Sequence, residues 1–497
     1  MYMKKTFLIL LALIFGLNAT SYAQVVKDYN PAIQRTTNMQ YFKPAEEHLF
    51  AGDCMPFFHN GTFYLYWLLD EGHHAGLNGL GGHQWALSTT TDLINWKHYP
   101  VALGIDEEWE KSICTGSVVA DGNKIYAFYS TRVKEGNDVH EQLSYAMSTD
   151  GGLSFKKQKP NPFYYAPKEC ISRDFRDPRA FKDKDGLFHL FVSGYEKDAV
   201  ISGQGGYLVH LTSKDLKNWT ETTSPLKGQN GVPECSDYFK WNDWYYLIYS
   251  THGNTYYVKS KQPYGPWEYP PFQPMVEKWG NVGKTAEFKN GRRIVVSYMT
   301  SKKDNKDSDG MIWGGNILLR ELFQDKDGIL TVGQLPEVAP EMKAIPGPSI
   351  QIPDNSGANA SIGKEILTIN STNGFGIATM NKLPRQYRIT MTVSPEGNYD
   401  EIGLYLKSTD KNKKGYKLEL NANKQLVGLF ETNIESVLNL RKPIKLDITV
   451  LDDIIDVYIN NERCIVNRLA EQKGENIIFF VKNGKAAFQD IKLYQIN

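Results

Sequence analysis

A hairpin unit recurs five times in the first two-thirds of this 497-residue chain, and that repeat restricts the fold more than any other feature of the sequence. Each copy is an apolar strand, a turn and a second, aromatic-rich strand. The first runs from Pro56 through Asn60-Gly61 to Tyr66, the second from Gly116 through Asp121-Gly122 to Tyr129, and the third from Pro178 through Asp185-Gly186 to Val192. The fourth runs from Cys235 through Asn242-Asp243 to Tyr249, and the last from Thr285 through Asn290-Gly291 to Tyr298. Asn-Gly and Asp-Gly between alternating apolar runs are strong hairpin signals, because these residues tolerate the positive φ of tight β-turns. The turns return at intervals of roughly 50–65 residues, the scale of one four-stranded propeller blade.

A second element follows the first. Thr91-Asp92-Leu93-Ile94-Asn95-Trp96 is echoed by Lys214-Asp215-Leu216-Lys217-Asn218-Trp219, with weaker copies at Asp150–Phe155 and Pro263–Trp267. This predicts the outer part of each blade, a turn followed by an aromatic that packs between blades. Together the copies predict a five-bladed β-propeller over residues 30–335. Residues 336–363 are rich in Pro, Gly, Ser and Asn and read as a linker. Beyond it, over 364–497, short alternating strands predict a β-sandwich: Tyr387–Val393, Glu401–Leu406, Tyr416–Leu420, Ile444–Val450, Ile454–Ile459 and Ile477–Val481. The expected fold class is therefore all-β, a propeller followed by a C-terminal sandwich.

Composition narrows the function classes. With 56 basic and 56 acidic side chains, the chain offers no electrostatic case for nucleic acid or an anionic membrane. Aromatics make up 12%, which suits both strand packing and stacking on sugar faces. The N-terminus reads as an export signal over 1–23: Lys4 and Lys5, the apolar run Phe7–Leu17, and small residues around Ser21-Tyr22-Ala23. That run is too short to span a bilayer. Export to a periplasm or the medium follows as the expectation. Cys54, Cys114, Cys170, Cys235 and Cys464 match neither a zinc site nor a dense disulfide framework, so no structural metal is expected.

Three carboxylates fall at similar distances before their turns. Asp53 lies eight residues before Gly61, Asp177 nine before Gly186, and Glu234 eight before Asn242; Cys114 and Gly283 are the counterparts in the other two copies. Read as a single repeat position at the start of each innermost strand, this brings three acids from blades one, three and four to one axial funnel. Like charges held close raise the pKa of one partner. A proton donor beside an ionised nucleophile is what glycoside cleavage requires. The alternative is that these acids are turn caps, or partners of Arg173, Arg176 and Arg179.

At these residues the chain resembles glycoside hydrolase family 32, the β-fructosidases. Ser172-Arg173-Asp174-Phe175-Arg176-Asp177-Pro178 contains an Arg-Asp-Pro motif, Glu234-Cys235 a Glu-Cys motif, and Cys114-Thr115-Gly116-Ser117 is similar to a Phe-Ser-Gly-Ser stretch. Trp313-Gly314-Gly315 to Leu322 is similar to the family's fifth-blade segment, and Leu451-Asp452-Asp453 to Asn460 to its sandwich signature. The resemblance implies Asp53 as nucleophile, Glu234 as acid/base and Asp177 as a transition-state stabiliser. It also implies Arg176 as a group that holds Asp177 ionised and reaches the sugar, and Cys235 as a contact of Glu234; a small core residue is the rival reading of Cys235. Thr115, Ser117 and Trp313 fall within the matching motifs and are assigned to substrate binding. The nucleophile segment departs from the family: Gly52 replaces a sugar-binding Asn, and Leu68 a Gln. Asp70, His73, His74, His83 and Trp85 are the candidates for replacement contacts.

The leading expectation is a retaining β-fructofuranosidase acting on sucrose, fructo-oligosaccharides, levan or inulin, working without a cofactor and as a monomer. Action on another furanoside, such as an arabinofuranoside, or fructosyl transfer is the alternative within enzymes. A non-catalytic glycan-binding propeller is the alternative from another class. The sandwich is expected to be a structural accessory.

Overall fold

The computed structural model describes residues 29–32, 40–339, 341–354, 359–363, 365–409 and 415–496. The export signal expected over 1–23 lies outside them. Blade one comprises β1 (Leu49–His59), β2 (Thr62–Glu71), β3 (Gln84–Thr90) and β4 (Lys97–Leu103). Blade two comprises β5 (Ser112–Asp121), β6 (Lys124–Glu135), β7 (Asp138–Ser148) and β8 (Lys156–Lys157). Blade three comprises β9 (Arg176–Lys182), β10 (Phe188–Tyr195), β11 (Gly206–Ser213) and β12 (Thr220–Thr222). Blade four holds β13 (Glu234–Trp241), β14 (Trp244–Thr251) and β15 (Asn254–Ser260), with an outer bridge from Lys259 to Glu268. Blade five holds β16 (Gly280–Glu287), β17 (Arg293–Lys302), β18 (Met311–Gln324) and β19 (Leu330–Gly333). Every pairing within the blades is antiparallel. The ring closes where β18 pairs with β1 at Ala51 and Gly315.

Local sequence explains these hairpins. Asn60 and Gly61 both have positive φ (49° and 77°), the backbone that a right-twisted two-residue hairpin needs. The Asp-Leu-x-Asn-Trp segments fold as predicted. Asp92 accepts from the N–H groups of Ile94 and Asn95, and Asp215 does the same for Lys217 and Asn218. Trp219 then packs on Phe128 and Phe163 of the preceding blade, and Phe155 on Tyr66 and Trp85.

The innermost strands share one irregularity. Each carries a bulge in which two residues oppose one on its partner: Gly52-Asp53 in β1, Cys114-Thr115 in β5, Asp177-Pro178 in β9, Cys235-Ser236 in β13 and Val282-Gly283 in β16. This corrects the single-position reading of the acids. Glu234 precedes its bulge, Asp177 is the first bulged residue, and Asp53 is the second. The strand from bulge to turn differs in length between blades, Gly61 is the second residue of its turn and Asn242 the first, and the turn of blade three is longer, so counting back from the turn conceals these offsets. Bulges re-aim side chains, and here three successive registers still point toward one place.

The C-terminal strands appear at all six predicted positions, as Tyr387–Glu396, Glu401–Ser408, Tyr416–Asn421, Ile444–Leu451, Ile454–Ile459 and Asn476–Gln495. They enclose a core that includes Ile389, Leu404, Leu418, Ile448, Val457 and Phe479. The stretch 336–363 is not a plain linker: Lys343–Ile345, Ile350–Gln351 and Asn359–Gly363 pair into the sandwich's strands. The sandwich packs hard on the propeller. Tyr458 and Cys464 share one apolar cluster with Val295, Leu322 and Leu330, and Arg320 donates to Asp456 at 2.7 Å with both side chains buried.

Candidate active site

The bulges converge on a cavity of about 310 Å³, lined by Asp53, Asp177 and Glu234 together with Glu141, Arg132, Arg173, Arg176, Thr115, Cys235, His74, His83 and Trp313. Backbone conformation at its floor is unusual. Asp177, Cys235 and Val282, the first bulged residues of blades three to five, have φ of 59°, 52° and 56°. Left-handed backbone at non-glycine residues is sparse and costs free energy. It is held here by hydrogen bonds: Asp177 N–H donates to Ser130 Oγ (2.8 Å), and Cys235 N–H donates to Asp177 Oδ2 (3.1 Å).

Asp53 is buried and half-satisfied. Its Oδ2 accepts from Thr115 Oγ1 (2.5 Å) and Cys235 Sγ (3.7 Å), while its Oδ1 has no hydrogen-bond partner among the described residues. Burial pushes the Asp53 carboxyl above its usual range, with Glu234 adding to the shift; the Thr115 bond, His83 and Lys284 oppose it. Lys284 is buried and donates to the Gly116 carbonyl at 2.7 Å. Glu234 is the most accessible of the three acids, with its side chain 36% exposed against 5% for Asp177. Arg176 Nη2 donates to Glu234 Oε1 at 2.7 Å, and its Nε lies 3.8 Å from Asp177 Oδ2. Burial nevertheless pushes Asp177 up to about 7; the Arg176 charge opposes the shift, and Glu141, Asp53 and Glu234 reinforce it. The Arg176 charge favours the ionised form of Asp177 but does not cancel the upward shift that burial causes.

Several expected contacts lie elsewhere. Trp85 is fully buried (0% exposed); its indole donates to the Cys114 carbonyl and packs on Tyr66 and Tyr129, so it does not reach the cavity. Ser117 stitches blade two to blade three, donating to the Pro178 carbonyl and accepting from Ala180 N–H. Asp70 is fully buried, its carboxylate taken up by the N–H groups of His73 and His74 and by His83 Nε2. It cannot present an oxygen to a sugar in this arrangement. His73 is tied to the Trp313 carbonyl at 2.6 Å and stacked on Phe50. Cys235 hydrogen-bonds Asp53 through its thiol and Asp177 through its N–H, and the neighbouring Glu234 acts on the thiol through its charge. Thr115, Arg176, His74, His83 and Trp313 do line the cavity.

Sequence reasoning missed the pair Arg132 and Glu141, joined at 2.9 Å across neighbouring strands and lining the cavity, and the buried Lys284, whose charge acts on Asp53. None of the three sits in a motif; each is placed by strand register. Leu68 lines the cavity as an apolar patch, and Trp313 covers Gly52. All five cysteines are buried and free. The arrangement offers one unpartnered carboxylate oxygen, one solvent-accessible carboxyl, a third carboxyl poised near neutrality, and arginines to anchor hydroxyl-bearing ligands.

Comparison with known proteins fits this geometry. A levanase of Bacillus subtilis (strain 168) is 28% identical over 248 residues, which is 47% of this chain and 32% of that protein. A sucrose-6-phosphate hydrolase of Escherichia coli is 27% identical over 282 residues, 52% of this chain and 57% of its own. The chain thus spans between a third and somewhat over half of these relatives. Fructan 1-exohydrolase IIa from Cichorium intybus superposes with a TM-score of 0.68 at 15% identity, over 93% of this chain and 98% of that one. A GH32 beta-fructofuranosidase of Bombyx mori superposes with a TM-score of 0.65 at 18% identity, over 94% of each chain. Both share the propeller-plus-sandwich fold. Residues 46–330 match the glycosyl hydrolases family 32 N-terminal domain, and the chain belongs to that family.

Proposed function

We propose that this protein is a retaining β-fructofuranosidase that cleaves terminal fructofuranosyl units from sucrose, fructo-oligosaccharides or fructans. The observation that carries the reading is the asymmetry of Asp53, one oxygen held by Thr115 and Cys235 and the other unpartnered. The free oxygen attacks the anomeric carbon as the glycosidic bond breaks, forming a fructosyl ester. Glu234, the most accessible acid, protonates the departing oxygen and then takes a proton from the incoming water. Asp177 and Arg176 bind sugar hydroxyls, and Asp177 supports the oxocarbenium-like transition state. Asp70 is a positioning residue for His74 and His83.

The apolar N-terminal run behind Lys4 and Lys5 supports export, to the periplasm or beyond it. The sandwich serves as a structural accessory to the propeller, supported by the shared core around Arg320. One observation favours a second reading within furanosides. The indole over Gly52 removes polar reach from that wall of the pocket, which suits a sugar with one fewer hydroxyl contact there, such as an arabinofuranoside.

Early-time NMR of the released sugar tests the mechanism. Retention of the anomeric configuration is expected, and inversion would overturn the role given to Asp53. Arabinose release without fructose would replace the leading substrate by the second.

A further inference from the structure

Asp70, His74 and His83 form a cluster for which the chemistry above needs only hydrogen bonding. One ligand-capable atom of each lies within 4.8 Å of those of the other two. Asp70 sits near the end of β2, and the chain turns back directly after it, with His73 and His74 at φ of 58° and 70°. Their N–H groups donate to Asp70 Oδ2 and Oδ1, both at 2.9 Å, so the turn locks the carboxylate in place. His83 comes from the loop that leads into β3, and its Nε2 lies 3.0 Å from Asp70 Oδ1. His74 Nδ1 is buried and has no hydrogen-bond partner among the described residues. Trp313 covers both imidazoles, at centroid distances of 4.3 Å for His74 and 4.8 Å for His83.

We propose that Asp70, His74 and His83 bind one divalent first-row transition-metal ion in the wall of the cavity. Two imidazoles and one carboxylate suit such ions, whereas magnesium and calcium prefer all-oxygen shells. An ion about 2.1 Å from both His83 Nε2 and Asp70 Oδ1 sees them at roughly 90°, the angle of an octahedral face. That geometry favours cobalt, nickel or iron over tetrahedral zinc. The ion takes the place of the proton shared by His83 and Asp70, and it gives the orphaned His74 ring a partner. The His74 ring closes inward to complete the set, since donors up to 4.8 Å apart exceed the ~4.2 Å span of two metal bonds. The Asp70 hydrogen bonds to His73 and His74 then act as the outer shell that fixes ligand direction. Because His74 and His83 line the cavity, the open positions of the ion are available to water or to vicinal sugar hydroxyls.

The test uses tag-free, chelator-treated protein titrated with Co²⁺, read by visible absorption and by calorimetry. One equivalent is expected to bind with a d–d band, and His74→Ala is expected to weaken binding by ~100-fold with an unchanged circular dichroism spectrum. No band and no heat in the wild-type protein would overturn the proposal, and so would equal affinity in His74→Ala. Neither readout depends on sugar cleavage, so the result stands apart from the assignment of the hydrolytic residues.

Discussion

The indole of Trp313 fills the space that a side chain at position 52 would need: a Cβ built on Gly52 falls 1.8 Å from Cη2 and 2.4 Å from Cζ2 of that ring. The backbone of Gly52 is not left-handed, so the requirement for glycine here is purely steric. One wall of the cavity therefore depends on a residue of blade one and a residue of blade five together. Gly52→Ala is expected to destabilise the fold by about 1–3 kcal/mol through overpacking, and to raise KM as the indole is displaced. Adding Trp313→Ala is expected to recover stability relative to Gly52→Ala alone. A double-mutant cycle by denaturant unfolding checks this; additive effects would show that the two positions do not share the space.

Arg176 ties blade three to blade four through Glu234, at 2.7 Å. Hydrogen bonds to charged groups contribute about 1.5–3 kcal/mol. Arg176→Ala is accordingly expected to lower kcat/KM by roughly 10–100-fold. Arg176→Lys keeps the charge and loses the planar fork, so partial recovery is expected. Steady-state kinetics decide, and an unchanged kcat/KM in Arg176→Ala would remove the arginine from the site.

Asp177 and Glu277 are both pushed up to about 7, in each case chiefly by burial. Ordinary carboxyls titrate at about 4, so each group binds its proton more tightly in the folded state than in the unfolded one. The stability gained from that preference is complete below about pH 4 and is lost as pH rises through about 7. His74, His98 and His210, which burial pushes down to about 3, 4 and 4, act in the opposite sense as pH rises toward the ordinary histidine value of about 6.5. The two carboxyls are therefore read by difference: Asp177→Asn and Glu277→Gln are each expected to gain thermal midpoint relative to the wild type as pH rises from about 5 to about 8. A variant-to-wild-type difference that stays constant over that interval would contradict the assignment.

Asp456 accepts hydrogen bonds from Arg320, Tyr41 and Tyr458 at 2.7, 2.8 and 2.9 Å, in the buried seam between sandwich and propeller. Asp456→Ala strands the Arg320 charge, and breaking one side of a buried pair costs about 3–5 kcal/mol. A loss of that size by denaturant titration is expected, along with insolubility of a chain ending near residue 338. A soluble, active propeller lacking the sandwich would contradict the structural role.

The blade plan was legible because the Asn-Gly and Asp-Gly turns and the Asp-Leu-x-Asn-Trp segments are local signals with local physical causes. The three acids were legible for the same reason, since each stands a nearly fixed distance from its turn. Their registers were not: the bulges at Gly52-Asp53, Asp177-Pro178 and Cys235-Ser236 are set by pairing across strands. Trp85 and Asp70 were misjudged because a polar or aromatic residue beside a motif looks the same whether it faces the cavity or the neighbouring blade. Arg132 and Glu141 were missed because only the folded blades bring them to the cavity, and Lys284 because only the closed ring sets its charge near Asp53. The strands within 336–363 were hidden by a composition rich in turn formers; Lys343–Ile345 pairs with Leu493–Gln495 far along the chain, whereas Asn359–Gly363 forms a hairpin with the strand that follows it.

The central claim is that the funnel formed by Asp53, Asp177 and Glu234 releases fructose. Free fructose should be quantified from sucrose, kestose, inulin and levan, with the wild-type protein beside Asp53→Ala and Glu234→Gln. Release by the wild type that disappears in both folded variants is the expected result. Release that persists in Asp53→Ala, or no release from any of the four by the wild type, would contradict the account.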